Sequence, residues 1–277
     1  MPIELATQYL PYVDELFTTE SKKSLVTNNQ FSWDGAATIK IYRLGVAPMQ
    51  DYGRSGPQPG HWSRYGKLDT LDADTQAMTL RNDKSFTFVI DRLDEDETKW
   101  MLAGASALAR QLREVVIPMV DQWTYQEMCE GAGKVVADEL TPENLYKAII
   151  EGSNVLDNAE APDTGRVLMV TPDTFLLMKQ SRDIVLESDD GNNLRLRGVF
   201  ARLDGMQVVR IPANRLPKDF GFAIAHPCAA VAPTKLASYR IHQDPPGISG
   251  SLVEGRLNYD CFILDNKKDA IYVHMMA

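Results

Sequence analysis

Four histidines, three cysteines, a run of acids and three glycine-rich stretches are the parts of this sequence that could do chemistry, and their spacing decides whether they do. Gly60 to Lys67, GHWSRYGK, has the glycines and lysine of a phosphate-cradling loop. It carries one residue too many between the glycines, and Leu68 stands where a magnesium-binding hydroxyl belongs. Gly131-Ala132-Gly133-Lys134 lacks the first glycine and the closing Ser or Thr of the same motif. Both therefore read as turns. Gly247 to Ser251, GISGS, has the outline of a nucleophile elbow but places Ser251 where the second glycine is needed, and the adjoining prolines make it a tight loop. His61, His226, His242 and His274 never stand at metal-ligand spacing and there is no Cys-x-x-Cys, so zinc has no support. Cys129, Cys228 and Cys261 are scattered and odd in number, the pattern of reduced thiols in a core or on a surface rather than of a disulfide framework. The acids Asp94 to Glu97 could hold a cation or serve as acid and base, but a place at the positive end of a helix already accounts for them. The sequence predicts no catalytic residue, no cofactor and no metal, so the expectation is a protein that is not an enzyme.

The elements around these residues are more informative. The chain has 277 residues, 44% hydrophobic and 24% charged, enough for one large domain or two intimate ones. No apolar run reaches the ~18 residues of a membrane span, and the start lacks the layout of a secretory signal, so a soluble, intracellular chain is expected. A net charge of -9 argues against gripping nucleic acid through its phosphates, which needs clustered cations. From Asp94 to Gly133 an apolar stripe runs through Met101, Ala105, Leu108, Leu112, Val115, Met119 and Trp123 at steps of four and three, predicting a spine helix ~50 Å long. Pro118 predicts a bend near Val115 to Ile117, and Gly131 and Gly133 read as its C-terminal cap.

Ahead of the spine, residues up to about Asn29 mix apolar patches with charges, as an arm that packs on something else would. Thr38 to Arg43 alternates as a strand does, and Gln76 to Arg92 reads as another. The long connection between them holds glycines and prolines and no helical face. Tyr52, His61, Trp62 and Tyr65 argue that it docks on a partner rather than merely spanning distance. After the spine, Thr141-Pro142-Glu143-Asn144 and Thr171-Pro172-Asp173 each start a helix, while Arg166 to Val170, Met206 to Ile211 and Phe220 to Ala225 are strands, together a small α/β layer. Three strand-like runs follow Lys235, the last two separated by a turn at Asn266-Lys267-Lys268.

This order of parts resembles the tailed-bacteriophage major capsid protein family, whose capsid fold is shared with encapsulins. Wording as well as order carries the likeness, in DRLDEDET, EVVIPMVD, RVLMVTP, LDGMQVVRIP, GFAIAHPCAAVAP and RIHQDPPGISGSLVEGRLNYDCFILDNKKDAIYV, within the span from about Trp33 to Val273. The resemblance implies an α+β fold with an N-terminal arm (1–32), strands and an extended loop (33–93, the loop about 44–77), a spine helix with peripheral β domain (94–140), an axial α/β domain (141–234) and returning peripheral strands (235–277). It implies a subunit that forms pentamers and hexamers and closes into an icosahedral virion shell, assembled in the host bacterial cytoplasm. Packaged DNA would be enclosed without sequence recognition or membrane contact. Because so little precedes Trp33, the scaffolding protein is expected to be a separate partner, as is the portal. Assembly contacts are expected from Tyr52, Arg54, His61, Trp62, Tyr65 and Lys67 in the loop and from Pro245 and Pro246 where capsomers meet. Some family members crosslink a loop lysine, and Lys67 is the one lysine here, with an ordinary solvated role favoured. An encapsulin-like compartment is the alternative within the fold, and an unrecognised hydrolase the alternative from another class.

Overall fold

The computed structural model describes residues 21–28, 38–44, 46–57, 60, 62–67, 70, 73–97, 104–186 and 202–277. The expected arm therefore lies largely outside the described residues, as do His61 and Met101. The chain divides into two units, Gly35–Thr79 and the remainder.

The smaller unit is a two-stranded ribbon. Strands β1 (Thr38–Leu44) and β2 (Ala73–Thr79) pair antiparallel from Thr38 opposite Thr79 to Leu44 opposite Ala73. The stretch Gln76 to Arg92, expected as one strand, is two. β2 ends at Thr79 and β3 (Asn82–Asp91) begins after Arg81 in a different sheet, because Arg81 turns its backbone N–H and guanidinium to Asp260.

In the larger unit β3 leads into α1 (Arg92–Glu97), and the spine follows as α2 (Gly104–Gln111), a π-helical turn (Leu112–Val116) and α3 (Ile117–Glu130). Then come β4 (Lys134–Ala137), α4 (Leu145–Asn158), β5 (Val167–Val170), α5 (Pro172–Gln180) and α6 (Arg182–Leu186). The chain closes with β6 (Arg202–Leu203), β7 (Met206–Arg210), β8 (Phe220–Ala225), β9 (Ala230–Val231), β10 (Thr234–Gln243), β11 (Gly250–Tyr259), β12 (Phe262–Ile263) and β13 (Ile271–Met275).

The acids Asp94 to Glu97 stand near a helix N-terminus as expected, two residues past the start of α1. The first turn of α1 is capped by Asp91 accepting the Leu93 N–H at 2.8 Å. The spine is perturbed where Pro118 predicts, but the device is a π turn. Pro118 stands in the first turn of α3, and the Ile117 N–H reaches back five residues to the Leu112 carbonyl. That extra residue per turn moves the buried stripe. It passes from Leu112 to Val116 and Val120, whereas Val115, expected on the buried face, is 48% exposed and Ala105 is exposed too. Gly131 is the C-cap of α3 as read, its N–H donating to the Glu127 carbonyl at 2.9 Å, although its φ of -89° is not left-handed. A Cβ there would sit 2.6 Å from Cγ1 of Ile263, so glycine serves close approach.

Two sheets flank the spine. β10, β11 and β3 form an antiparallel sheet in that order, and Val116 and Val120 pack on its Leu257 and Tyr259 with Phe86, Leu112 and Trp123 around them. The second sheet has six strands in the order β4-β13-β8-β5-β7-β6. Helices α4 and α5 cover one face, where Leu145, Ile149, Leu156 and Phe175 meet Leu168, Phe222 and Ile224. On the other face Tyr125, Met128 and Cys129 of α3 meet Val167, Met169, Ala223 and Val273. With both faces covered, every residue of β8 is buried. The last strand departs from expectation. β13, grouped by sequence with the returning peripheral strands, runs parallel to β4 and antiparallel to β8, because its own alternation buries Ile271 and Val273 on one face and Tyr272 on the other.

Candidate assembly surfaces

In the smaller unit the loop beyond β1 folds back on itself. The Gly53 N–H donates to the Arg64 carbonyl at 2.9 Å. The Gln50 amide bonds the Lys67 backbone both ways, accepting its N–H at 2.6 Å and donating to its carbonyl at 3.1 Å, which is the pairing a strand neighbour would supply. Tyr52 and Tyr65 are thereby brought edge to face, their rings 5.0 Å apart. The resulting surface is aromatic and open. Trp62 is 79% exposed, Tyr65 78% and Tyr52 51%, with Arg54 and Lys67 exposed beside them in the chain. Indoles and phenols left in water on one short segment are what a docking surface offers, at ~25 cal/mol for each Å2 of apolar area a partner covers.

The second expected contact, in the larger unit, is the turn between β10 and β11. Asp244 adopts φ +45° and closes the turn twice: its N–H donates to the Gly250 carbonyl at 2.8 Å, and its carboxylate accepts the Gly250 N–H at 3.0 Å. Gly250 itself (φ +136°) has no room for a Cβ against the Ile90 carbonyl. Inside this frame Pro245 is half-buried and Pro246 exposed. Arg92 ties the turn to α1 through its N–H on the Ser249 carbonyl (3.2 Å) and a 3.4 Å ion pair with Asp244, whose exposure keeps its worth small.

The residues weighed for catalysis stay apart. Ser249 is exposed in that turn and Ser251 buried where β11 begins. His226 meets the Thr164 carbonyl at 3.1 Å, His242 lies 3.4 Å from Glu254, and His274 is buried against Phe222. Among the described residues no group of three His, Cys, Asp or Glu is disposed to hold a metal, and no helix is long and apolar enough to cross a membrane. Cys129 and Cys261 are buried, and burial pushes both thiols up to about 12.

Two buried acids that sequence reasoning missed hold the spine. Asp121 pairs with Arg215 at 2.8 Å, both nearly fully buried, and accepts the Ser21 hydroxyl at 2.6 Å. Asp260, its side chain wholly buried, accepts from the Arg81 backbone and guanidinium, the Trp123 indole and the Cys261 N–H. The only sequence signal was a lone aspartate beside an apolar stripe in one case and between Tyr259 and Cys261 in the other.

No protein-family model matches the sequence, and no curated protein matches it. Solved structures do match, over almost all of both chains. The capsid structure of the cyanophage P-SCSP1u aligns at TM-score 0.78 and 12% identity, covering 99% of this chain and 93% of that one. The mature capsid of bacteriophage PhiM1 gives 0.72 at 14%, covering 99% and 92%. A chain of Mycobacterium phage Che8 gives 0.71 at 18%, covering 98% and 97%. The chain has the α+β fold of tailed-phage capsid proteins.

Proposed function

We propose that this protein is a major capsid protein, a structural subunit and not an enzyme, that associates as pentamers and hexamers into an icosahedral virion shell around phage or prophage DNA. The observation that carries the reading is the match of nearly the whole chain to nearly the whole of chains in phage capsid structures. The open aromatic surface of Tyr52, Trp62 and Tyr65 supports it, since a subunit that works alone gains nothing from leaving these rings in water. In this reading Tyr52, Arg54, His61, Trp62, Tyr65 and Lys67 contact one neighbouring copy and the Pro245-Pro246 turn meets others. The arm, loop, spine, peripheral and axial parts carry the boundaries given by the sequence, apart from β13, which belongs with the six-stranded sheet. Scaffolding and portal proteins are separate partners, assembly takes place in the bacterial cytoplasm, and the acidic subunit encloses DNA without reading its sequence. Light scattering on the purified protein tests the proposal: particles tens of nanometres across are expected, and a dimer or other small oligomer under every assembly condition would refute it.

A further inference from the structure

The three-stranded sheet buries one face against the spine and presents the other as an open hollow of about 530 Å3. Strand register explains its walls. Ser238, Arg256 and Ser85 form one cross-strand row and Arg240, Glu254 and Thr87 the next, all on the face opposite Leu257 and Val253. The floor is the backbone at Phe86 and Gly255. The charges in this hollow are unevenly paired. Arg256 grips Asp83 with two guanidinium nitrogens, and Glu254 lies 3.4 Å from His242. Arg240 stands directly across from Glu254 in the ladder, yet among the described residues it makes no ion pair. An exposed guanidinium is left on a face that also carries the hydroxyls of Ser238, Ser85 and Thr87, with Ser238 on its own strand.

We propose that this hollow is a docking site for an acidic side chain presented by a partner polypeptide, with Arg240 pairing its carboxylate and Ser238, two residues away on the same strand face, donating to it. A carboxylate matches the planar fork of a guanidinium, and a small hydroxyl beside it can donate to a remaining lone pair. The flanking carboxylates argue against nucleic acid as the occupant. Asp83 and Glu254 lie on the same face as the arginines, so a continuous phosphate backbone would meet two negative charges where a single acidic side chain fits between them.

The test is fluorescence anisotropy of a labelled octapeptide carrying one glutamate among neutral residues against the full chain at about 0.15 M salt, with duplex DNA as competitor. Arg240→Ala is expected to weaken peptide binding by about tenfold or more and Arg240→Lys by less. Arg210→Ala, which removes an exposed cation from the six-stranded sheet, is expected to leave binding unchanged. Should Arg240→Ala not fold, Ser238→Ala is expected to weaken binding severalfold, and unchanged affinity in it would count against the site. Failure of the peptide to bind, equal losses in Arg240→Ala and Arg210→Ala, or DNA displacing the peptide through Arg240 would each overturn the proposal. None of these readouts depends on particles forming, so the result stands apart from that of the shell reading.

Discussion

The Trp123 indole N–H donates to the Asp260 carboxylate at 2.9 Å, and that bond joins the middle of the spine to the end of the sheet packed on it. Arg81, just past the ribbon, reaches the same carboxylate, lies 5.3 Å over the Trp123 ring and pairs with Glu127 at 2.8 Å. One buried acid thus anchors three segments. Burial alone would raise the Asp260 carboxyl, but the bonds from Arg81, Trp123 and Cys261 outweigh it and hold the carboxyl below the usual carboxylate range. A depressed carboxylate contributes stability that is present above the unfolded value of ~3.9 and lost as pH falls through the folded value. Asp260→Ala, which strands the indole and Cys261 N–H groups, should cost about 2–5 kcal/mol. Urea midpoints of the unassembled chain should fall from neutral pH to below about pH 4, and fall less steeply in Asp260→Asn. Equal acid sensitivity in the two proteins would contradict this.

The π turn makes a contrast between adjacent valines. Val116 is 7% exposed and Val115 48%, the reverse of what the uninterrupted helical stripe predicts. Val116→Asp should abolish soluble folding, since an unpaired buried charge costs several kcal/mol against a marginal total. Val115→Asp should give a soluble protein melting within a few degrees of the parent. Circular dichroism melts decide it, and the opposite ranking would restore the unbroken stripe.

Asp121 and Arg215 join α3 to the chain between β7 and β8. Removing one partner leaves a buried charge, so Arg215→Met should destabilise the unassembled chain by about 3–5 kcal/mol. The double variant Asp121→Leu with Arg215→Met should recover much of that loss. Additive losses in a double-mutant cycle would show that the pair is not coupled.

The short-range signals in the sequence translate well into structure. Thr171-Pro172-Asp173 starts α5 as read, with the Thr171 hydroxyl accepting the Thr174 N–H at 3.0 Å, because proline and cap act within one turn. Asn144 and Thr141 exchange side-chain bonds at the start of α4 for the same reason. What escaped needs distant partners. The break at Arg81 depends on Asp260, and β13 joins the six-stranded sheet because β8 and β4 accept it. The π turn was legible only as a proline-induced disturbance. Which residues it buries depends on the register gained by one extra residue per turn, which periodicity alone does not reveal. At the assembly surfaces the aromatic residues of the loop were legible by type, whereas the Gln50 clamp on Lys67 and the pairing of Tyr52 with Tyr65 required coordinates.

The most direct measurement of the central claim is electron microscopy of particles made by the parent and by a variant in which residues 50–65 become a short Gly-Ser linker. The ribbon's loop bonds within itself and holds Trp62 and Tyr65 in the open, so it should serve association and not folding. The expected result is closed shells from the parent and none from the variant, while the variant's circular dichroism spectrum and melt match those of the unassembled parent. Normal shells from the variant, or a parent that forms only small oligomers, would contradict the account.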